Sequence, residues 1–158
     1  MPKYKKQIGN SGEKAAAAFL KKHKYRILAQ NFTALNGELD IVALYKKTLV
    51  FVEVKTRTSD LYGEPISAVN AAKMQAVLET AAHFENQYVK HGYLNLSIYF
   101  FGLRLKYRKK LNAKRFDVIE VFMTKDFKLT KINHHKGFFD EDTVSKLLKR
   151  KSKPRSLF

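Results

Sequence analysis

The sequence predicts a single α/β domain, and three observations carry this prediction. The 158 residues match the usual size of one domain and are long enough to bury a core. An alanine-rich segment with helical character precedes two short apolar runs that have the pattern of strands. A second helical segment with an apolar stripe follows them. Helices and strands therefore alternate within one domain.

The first helix is expected to begin near Asn10 or Ser11, because either can act as the N-cap and an alanine run follows. The preceding residues 1–8 are rich in lysine and are expected to form a basic arm. Residues 25–32 have the pattern of a first strand. This assignment places the domain itself at residues 9–140.

Two apolar runs joined by the polar residues 46–47 predict a β-hairpin. Antiparallel pairing around that turn places Asp40 opposite Glu53. It also places Glu38 opposite Lys55. Because side chains alternate with period two, all four charged groups are expected on one otherwise apolar face. Like charges opposite each other are destabilising, and a divalent cation between the two carboxylates would relieve that conflict.

The second half of the chain contains one long helix and further strands. The helix is predicted from about Ala71 to Val89, with Asn70 as its N-cap. Arg115–Phe122 has the pattern of a strand, and Leu129–His134 that of a weaker one. Residues 141–158 are expected to form a basic tail that is frayed from Lys146 onward.

Residues 93–110 fit two kinds of secondary structure. Apolar residues that alternate with Arg104, Lys106 and Arg108 favour a strand with one basic face. A second set of apolar residues in the same segment recurs at helical spacing. Periodicity alone leaves the choice between helix and strand open.

The chain is strongly basic, with 31 Lys and Arg against 14 Asp and Glu, for a net charge of +17. Such an excess attracts polyanions. We expect a nucleic-acid partner and no membrane partner, because no basic amphipathic helix stands out. The absence of cysteine excludes a disulfide framework and a thiolate metal site, and it fits a cytoplasmic location. The sequence contains no visible secretory signal and no apolar run of membrane-spanning length.

Asp40, Glu53 and Lys55 can together form a site that hydrolyses phosphodiesters. The reaction needs a positioned water, charge neutralisation at the phosphate and help for the leaving oxygen, and divalent cations held by carboxylates supply all three. A nearby ammonium can orient the water and stabilise developing charge. The alternative is a structural ion-pair cluster that includes Lys55 and Arg57, although a buried cluster of this kind is a poor source of stability. Glu38 fits an outer ligand and a partner of Lys55 equally well.

Two further features are expected to be structural. His134 and His135 are adjacent in a predicted strand, so they point to opposite faces and cannot chelate one metal together. Asp117 also lies in a predicted strand, where a hydrogen bond to a neighbouring loop is a better explanation than catalysis.

Asp40, followed after a hairpin by Glu53-Val54-Lys55, resembles the signature of the PD-(D/E)XK nucleases. More narrowly, the ordered series of motifs resembles the bacterial YraN family over residues 9–89 and 114–139. The matching stretches are Gly12-Glu13, Gly37-Glu38-Leu39-Asp40, Val50 to Arg57, Tyr62-Gly63 with Pro65 and Ala68-Val69, and Arg115-Phe116-Asp117-Val118.

The resemblance implies a restriction endonuclease-like fold, in which a mixed β-sheet is flanked by α-helices, with an insertion at about residues 93–112. It implies Asp40, Glu53 and Glu13 as metal ligands. It also implies Lys55 as the catalytic lysine, with Glu13 completing the site from a separate helix. The implied cofactor is Mg²⁺, with Mn²⁺ tolerated. The implied activity is hydrolysis of DNA, including branched or damaged DNA, and resolvase-like relatives of this kind work as homodimers.

Several basic side chains are candidates for contact with the phosphate backbone, and DNA is favoured over RNA as the partner. The candidates are Arg57, Lys21, Lys22, Arg26, Arg104, Lys106 and Arg108. An alternative function is a nucleic-acid-binding module that keeps the nuclease fold and does no chemistry. A weaker alternative is a basic protein associated with RNA or the ribosome.

Overall fold

The computed structural model describes residues 2–34, 37–58, 70–100 and 103–152 of the chain. Its helices are α1 (Pro2–Lys22), α2 (Ala71–Tyr88) and α3 (Glu141–Ser152). Its strands are β1 (Arg26–Ala34), β2 (Gly37–Tyr45), β3 (Thr48–Thr58), β4 (Val89–Lys90), β5 (Tyr93–Phe100), β6 (Leu103–Lys110), β7 (Ala113–Met123) and β8 (Leu129–Phe139). The motif residues Tyr62-Gly63, Pro65 and Ala68-Val69 lie outside the described residues.

Five strands form a mixed sheet in the order β1-β2-β3-β7-β8. Strands β3 and β7 are parallel, and all other neighbours in this sheet are antiparallel. The remaining strands, β4, β5 and β6, form a separate antiparallel sheet. The prediction of an α/β domain with a mixed sheet between helices is therefore confirmed.

The central strands of the large sheet are buried on both faces. On one face, Val42 belongs to an apolar cluster that includes Phe84 of α2. On the other face, Ile41 belongs to a cluster that includes Leu20 of α1. Strands covered on both faces have nearly continuous apolar sequences instead of alternating ones. This is why the two runs beside the turn at residues 46–47 contain so few polar residues.

Helix α1 begins at Pro2, so the prediction of an N-cap at Asn10 or Ser11 is wrong. Residues 2–8, expected to be a basic arm, form the first turns of this helix. Ile8 explains the extension, because its side chain is buried in the cluster between α1 and the sheet. Tertiary packing of this kind outweighs the low helix propensity of the residues that follow it.

Helix α2 matches its predicted bounds to within one residue. The Asn70 side chain accepts a hydrogen bond from the Ala72 backbone nitrogen at 3.0 Å, so the predicted N-cap is confirmed. Such a cap satisfies one of the backbone donors that the first helical turn leaves without a partner.

Helix α3 replaces part of the predicted frayed tail. It covers Glu141–Ser152 and packs against α2, and Val144 is fully buried in the cluster on that side of the sheet. The tail prediction is thus wrong up to residue 152, while residues 153–158 lie outside the described part of the chain. Among the described residues, no helix combines the length and the apolar character needed to cross a bilayer.

Strands β5 and β6 form an antiparallel hairpin, so residues 93–100 and 103–110 are strands and not a helix. The register pairs Leu96 with Tyr107, and Ser97 with Lys106. Leu94, on the same face as Leu96, is fully buried and anchors the hairpin to the core. The opposite face of β6 is referred to below as the basic face. Its members are Arg104, Lys106, Arg108 and Lys110.

Candidate functional site

The β2–β3 hairpin has the predicted turn, and its pairing follows the predicted register up to the Ile41–Val52 pair. The ladder ends there, although both strands continue. Two predicted pairs are therefore absent from it: Asp40 with Glu53, and Glu38 with Lys55.

The side chain of Asp40 explains why the ladder ends. Its Oδ2 accepts a hydrogen bond from the Val54 backbone nitrogen at 2.6 Å. In a regular ladder this nitrogen would donate to a backbone carbonyl of the neighbouring strand, and here the Asp40 carboxylate takes the place of that carbonyl. Leu39 packs in the same cluster as Val42, whereas strict alternation would place it with Ile41. The alternation of faces thus breaks at Asp40, and the prediction of one regular charged face is wrong at this point.

Glu53 is a buried carboxylate between two lysines. Its side chain is 4% exposed, and its Oε1 accepts a hydrogen bond from Lys55 Nζ at 2.7 Å. Lys73 Nζ of helix α2 lies 3.5 Å from the other oxygen, Oε2, which is too far for good hydrogen-bond geometry. Oε2 is buried, and no group in the described part of the chain donates a hydrogen bond to it. The site therefore contains a desolvated carboxylate oxygen that can accept a further cation or donor.

Asp40 lies close enough to Glu53 for the two negative charges to interact. Burial, together with the charge of Glu53, raises the pKa of Asp40 to about 7. The hydrogen bond from Val54 and the charge of Lys73 act in the opposite direction. A carboxyl group in this state holds its proton near neutral pH unless a cation compensates its charge.

Helix α1 brings a further carboxylate, Glu13, to the same region. Burial and the negative charges of Glu38 and Glu53 raise the pKa of Glu13, although a hydrogen bond with the Asn31 side chain acts against this. The structure therefore places the three predicted metal ligands, Glu13, Asp40 and Glu53, close enough for their negative charges to interact.

Gly12 allows α1 to approach the sheet at this point. A Cβ at this position would overlap the side chain of Thr56 on β3, so no larger residue fits without a shift of helix or strand. Glu13 is the next residue, and the close approach of α1 to β3 sets its position relative to the strand that carries Glu53.

Four acidic residues form what we call the carboxylate cluster: Glu13, Glu38, Asp40 and Glu53. In the ranges that the structure describes, no three Asp, Glu or His side chains converge tightly enough to form a complete metal site. Lys55 and Lys73 instead provide the positive charge nearest to Glu53. The donor set still fits a divalent cation, because oxygen ligands suit Mg²⁺ and the buried Oε2 of Glu53 has no hydrogen-bond donor among the described residues.

Arg57 lies further along the face that carries Glu53 and Lys55, and it is paired. Its Nε donates to Glu120 Oε1 at 3.0 Å, and His135 Nε2 lies 3.0 Å from Glu120 Oε2. Burial opposes ionisation of Glu120, but the hydrogen bonds from His135 and Arg57 outweigh it and lower the pKa of Glu120. The guanidinium is thereby held on this face, two residues along the strand from Lys55.

Asp117 is fully buried and accepts hydrogen bonds from three groups. Arg115 donates to both of its carboxylate oxygens at 2.7 and 2.9 Å, and the Gly137 backbone nitrogen donates at 2.8 Å. His134 Nε2 lies 2.8 Å from Oδ2, so His134 and His135 bind different carboxylates and do not form one metal site. The prediction that the two histidines do not chelate one metal together is therefore confirmed. Asp117 is hydrogen-bonded as expected, but its partners lie on β7 and β8, so the prediction of a bond to a loop is wrong.

The remaining predicted contacts to nucleic acid lie on separate elements. Lys21 and Lys22 are exposed in the last turn of α1. Arg26 begins β1, and its guanidinium lies 4.2 Å from the centre of the Tyr107 ring. Arg104, Lys106 and Arg108 belong to the basic face of the β5–β6 hairpin.

Lys73 is the site residue that sequence reasoning missed. It lies in the first turn of α2, and only the packing of that helix places its ammonium beside Glu53. Its neighbour Gln75 donates to Glu79 along the helix surface at 2.8 Å and does not contact the carboxylate cluster. Its position was the only hint in the sequence, because Lys73 lies in the first helical turn after the predicted N-cap, Asn70.

In a comparison with protein families, residues 12–121 match the uncharacterised protein family UPF0102. This segment includes the whole carboxylate cluster together with Lys55 and Lys73. The YraN proteins belong to this family, so the resemblance noted in the sequence is confirmed at the level of the family.

Curated proteins of this family are similar to the chain over most of their own length. A UPF0102 protein of Caldanaerobacter subterraneus subsp. tengcongensis is 39% identical over 131 residues, which cover 82% of this chain and 92% of that protein. A UPF0102 protein of Caldicellulosiruptor bescii is 40% identical over 134 residues, which cover 85% of this chain and 98% of that protein. A UPF0102 protein of Geobacter metallireducens is 47% identical over 81 residues, which cover 51% of this chain and 66% of that protein.

Proposed function

The chain belongs to the UPF0102 family, and on that premise we propose that it is a divalent-metal-dependent phosphodiesterase with a PD-(D/E)XK-type site that acts on DNA. The observation that supports this proposal best is the state of Glu53. This carboxylate is buried, its Oε2 accepts no hydrogen bond from the residues that the structure describes, and a second carboxylate, Asp40, lies close enough to repel it. Such an arrangement would be unfavourable if its only role were to stabilise the fold.

Asp40 and Glu53, with Glu13 from α1, would hold the metal ion. Mg²⁺ is the expected ion because all the available ligands are carboxylate oxygens, and Mn²⁺ accepts the same ligands. The bound ion would neutralise charge on the phosphate and increase the acidity of a water molecule.

Lys55 contributes the positive charge nearest to these ligands. Its ammonium donates to Glu53 Oε1 at 2.7 Å, so Glu53 fixes its position. An ammonium held there can orient the attacking water and stabilise the negative charge that develops on the phosphate. Arg57, fixed by Glu120, extends the row of cations along the same strand and would bind a neighbouring phosphate.

DNA is the proposed substrate because of the charge of the whole molecule. A net charge of +17 favours a polyanion, and binding to it would be driven by counterion release. Branched or damaged DNA is the proposed preferred form, by analogy with resolvase-like nucleases.

A cleavage assay tests this proposal. The full-length protein is incubated with duplex, single-stranded and branched DNA in Mg²⁺, in Mn²⁺ or in EDTA, alongside Asp40→Asn and Lys55→Ala variants. We expect metal-dependent cleavage that falls at least about 100-fold in either variant. The matched controls are Asp126→Asn and Lys136→Ala, which alter exposed residues away from the carboxylate cluster. Cleavage that is undiminished in both site variants would exclude this mechanism.

A non-catalytic nucleic-acid-binding module is the second candidate. It is favoured by the two lysines that already neutralise Glu53 and by the absence of a preformed three-ligand set among the described residues. Thermal unfolding with and without Mg²⁺ or Mn²⁺ separates the two candidates, because a ligand that binds only the native state must stabilise it. The binding module would be favoured if the midpoint of thermal unfolding does not change when metal is added and if the Asp40→Asn variant still binds DNA.

A further inference from the structure

The β5–β6 hairpin presents two chemically different faces. Its register runs without interruption from the Tyr93–Lys110 pair to the Phe100–Leu103 pair. Because directly paired residues share a face, the basic face of β6 adjoins uncharged side chains of β5 wherever the structure describes them. These are Tyr93, Asn95 and Ser97.

The hairpin carries no negative charge to balance its cations. The sequence from residue 93 to 110 contains five Lys and Arg and no Asp or Glu. All four members of the basic face are exposed. Within the described part of the chain, none of them forms an ion pair with a carboxylate. Such a row of like charges is unfavourable for the isolated protein, so its presence requires another explanation.

Two of these cations are held in place by uncharged neighbours. Arg104 donates from Nε and Nη2 to Ser97 Oγ, both at 3.1 Å. The Arg108 guanidinium lies 3.9 Å from the centre of the Tyr93 ring. Both contacts orient a guanidinium without neutralising it, which leaves its charge available to an anion.

The root of the hairpin is fixed to the domain on its other face. Leu94 is fully buried, and Leu96 and Tyr107 pack on the same core cluster. The Asn112 backbone nitrogen donates to Lys47 O at 2.8 Å, so the root lies at the end of the sheet that holds the 46–47 turn. Glu53 lies further along β3, beyond the last β2–β3 pair. The basic face is thus a surface separate from the carboxylate cluster.

We propose that the basic face of the β5–β6 hairpin is a second contact surface that binds the phosphate backbone of duplex DNA. The choice of DNA as the polyanion rests on the proposed function. Alternate residues of a strand are about 7 Å apart, so the face presents an evenly spaced row of cations to a row of phosphates. The major groove of B-form DNA admits a two-stranded β-ribbon, whereas the deep, narrow major groove of double-stranded RNA does not.

Salt-dependent binding tests this assignment. Fluorescence anisotropy is measured in EDTA, where hydrolysis does not interfere, with labelled duplex DNA, single-stranded DNA and double-stranded RNA. Arg104→Ala/Lys106→Ala/Arg108→Ala is expected to weaken duplex binding and to reduce the slope of log K against log salt by about 2–3, since each phosphate contact contributes about 0.9. Arg104→Lys/Arg108→Lys keeps the charges and is expected to retain most of the slope.

The matched control is Lys3→Ala/Lys5→Ala/Lys6→Ala, which removes the same charge from exposed positions of α1. An equal loss of slope in this control would overturn the proposal, because binding would then depend on net charge alone. Tighter binding of single strands or of double-stranded RNA than of duplex DNA would overturn it as well. An unchanged thermal midpoint in the hairpin variant shows that its loss of binding does not come from misfolding.

The same measurements distinguish this proposal from the nuclease proposal. If the wild type cleaves no DNA but the hairpin variant loses duplex binding, the contact surface stands and the catalytic proposal fails. If the wild type cleaves DNA and the hairpin variant binds and cleaves normally, the catalytic proposal stands and the contact surface is excluded.

Discussion

Asp40 Oδ2 lies 2.6 Å from the backbone nitrogen of Val54, the residue between Glu53 and Lys55. This hydrogen bond ties a carboxylate on β2 to the centre of the charged segment of β3. Asp40 therefore cannot move far without displacing the strand that presents the other two groups. This contact sets the position of Asp40 relative to Glu53 and Lys55.

The metal-free protein is expected to lose stability between about pH 4 and pH 7 as pH rises. The pKa of Asp40 is raised to about 7 by burial and by Glu53. An unfolded Asp ionises near pH 4, so in this window the folded state binds more protons than the unfolded state, and stability falls with rising pH. Chemical denaturation in EDTA at pH 5 and pH 8 measures the difference, which we expect to be roughly 2–4 kcal/mol.

The Asp40→Asn variant is the control for this effect. Its amide oxygen can still accept the hydrogen bond from Val54, but it does not titrate, so its stability should change less between pH 5 and pH 8. If wild type and variant have the same pH dependence, Asp40 is not the titrating group.

Lys73→Met is expected to make the metal-free protein less stable. It should also enlarge the increase in the thermal midpoint that a divalent cation causes. Lys73 Nζ lies 3.5 Å from Glu53 Oε2, so its removal deprives a buried carboxylate of one of its two lysines. The loss should be only about 1 kcal/mol because the Lys73 side chain is 39% exposed. Thermal unfolding in EDTA and in Mn²⁺ measures both effects, and Lys73→Arg should behave like the wild type. A variant with unchanged midpoints in both conditions would exclude an interaction between Lys73 and the site.

Gly12→Ala is expected to destabilise the protein by about 1–3 kcal/mol, because its Cβ would overlap the side chain of Thr56. Gly9→Ala is the matched control in the same helix, since nothing lies within 4 Å of a Cβ there. That control should stabilise the protein by about 0.5–1 kcal/mol through helix propensity. Urea denaturation of both variants gives the comparison. Equal effects of the two substitutions would mean that α1 and β3 are not in close contact at Gly12.

Asp117→Asn is expected to cost about 3–5 kcal/mol, because it leaves Arg115 partly buried without its anionic partner. Burial opposes ionisation of Asp117, but hydrogen bonds from His134, Arg115 and Gly137 lower its pKa. Its contribution to stability is therefore present above about pH 4 and is lost as pH falls below that value.

The measurement for Asp117 is chemical denaturation between pH 2 and pH 7. In the variant, the free energy of unfolding should fall less steeply as the pH is lowered below about 4. Binding of duplex DNA at neutral pH should stay unchanged in the molecules that remain folded. Asp140→Asn, at an exposed position that accepts a hydrogen bond from the Thr143 backbone nitrogen, is the control and should change stability little, because Asn and Asp cap a helix about equally well. A loss no larger than that of the control would contradict the structural role of Asp117.

The sequence determined the features that depend on neighbouring residues. Two apolar runs and a two-residue polar turn predicted the β2–β3 hairpin and its register up to the Ile41–Val52 pair. Asn70 and the apolar stripe behind it predicted helix α2. The period-two alternation of a strand predicted that Glu53 and Lys55 share a face, and their side chains meet there at 2.7 Å. Local periodicity and capping chemistry are sufficient for such features, because the residues involved are close together in the chain.

Tertiary structure decided the rest. The hydrogen bond between Asp40 and Val54, the approach of Lys73 to Glu53 and the extension of α1 to Pro2 each depend on segments that are distant in sequence. The choice between strand and helix for residues 93–110 also required the core, because Leu94 is buried against it. A sequence pattern shows which face of an element is apolar, but it does not show which other element covers that face. That choice follows from packing the whole chain around one core, and it also fixes which charged groups come within reach of one another.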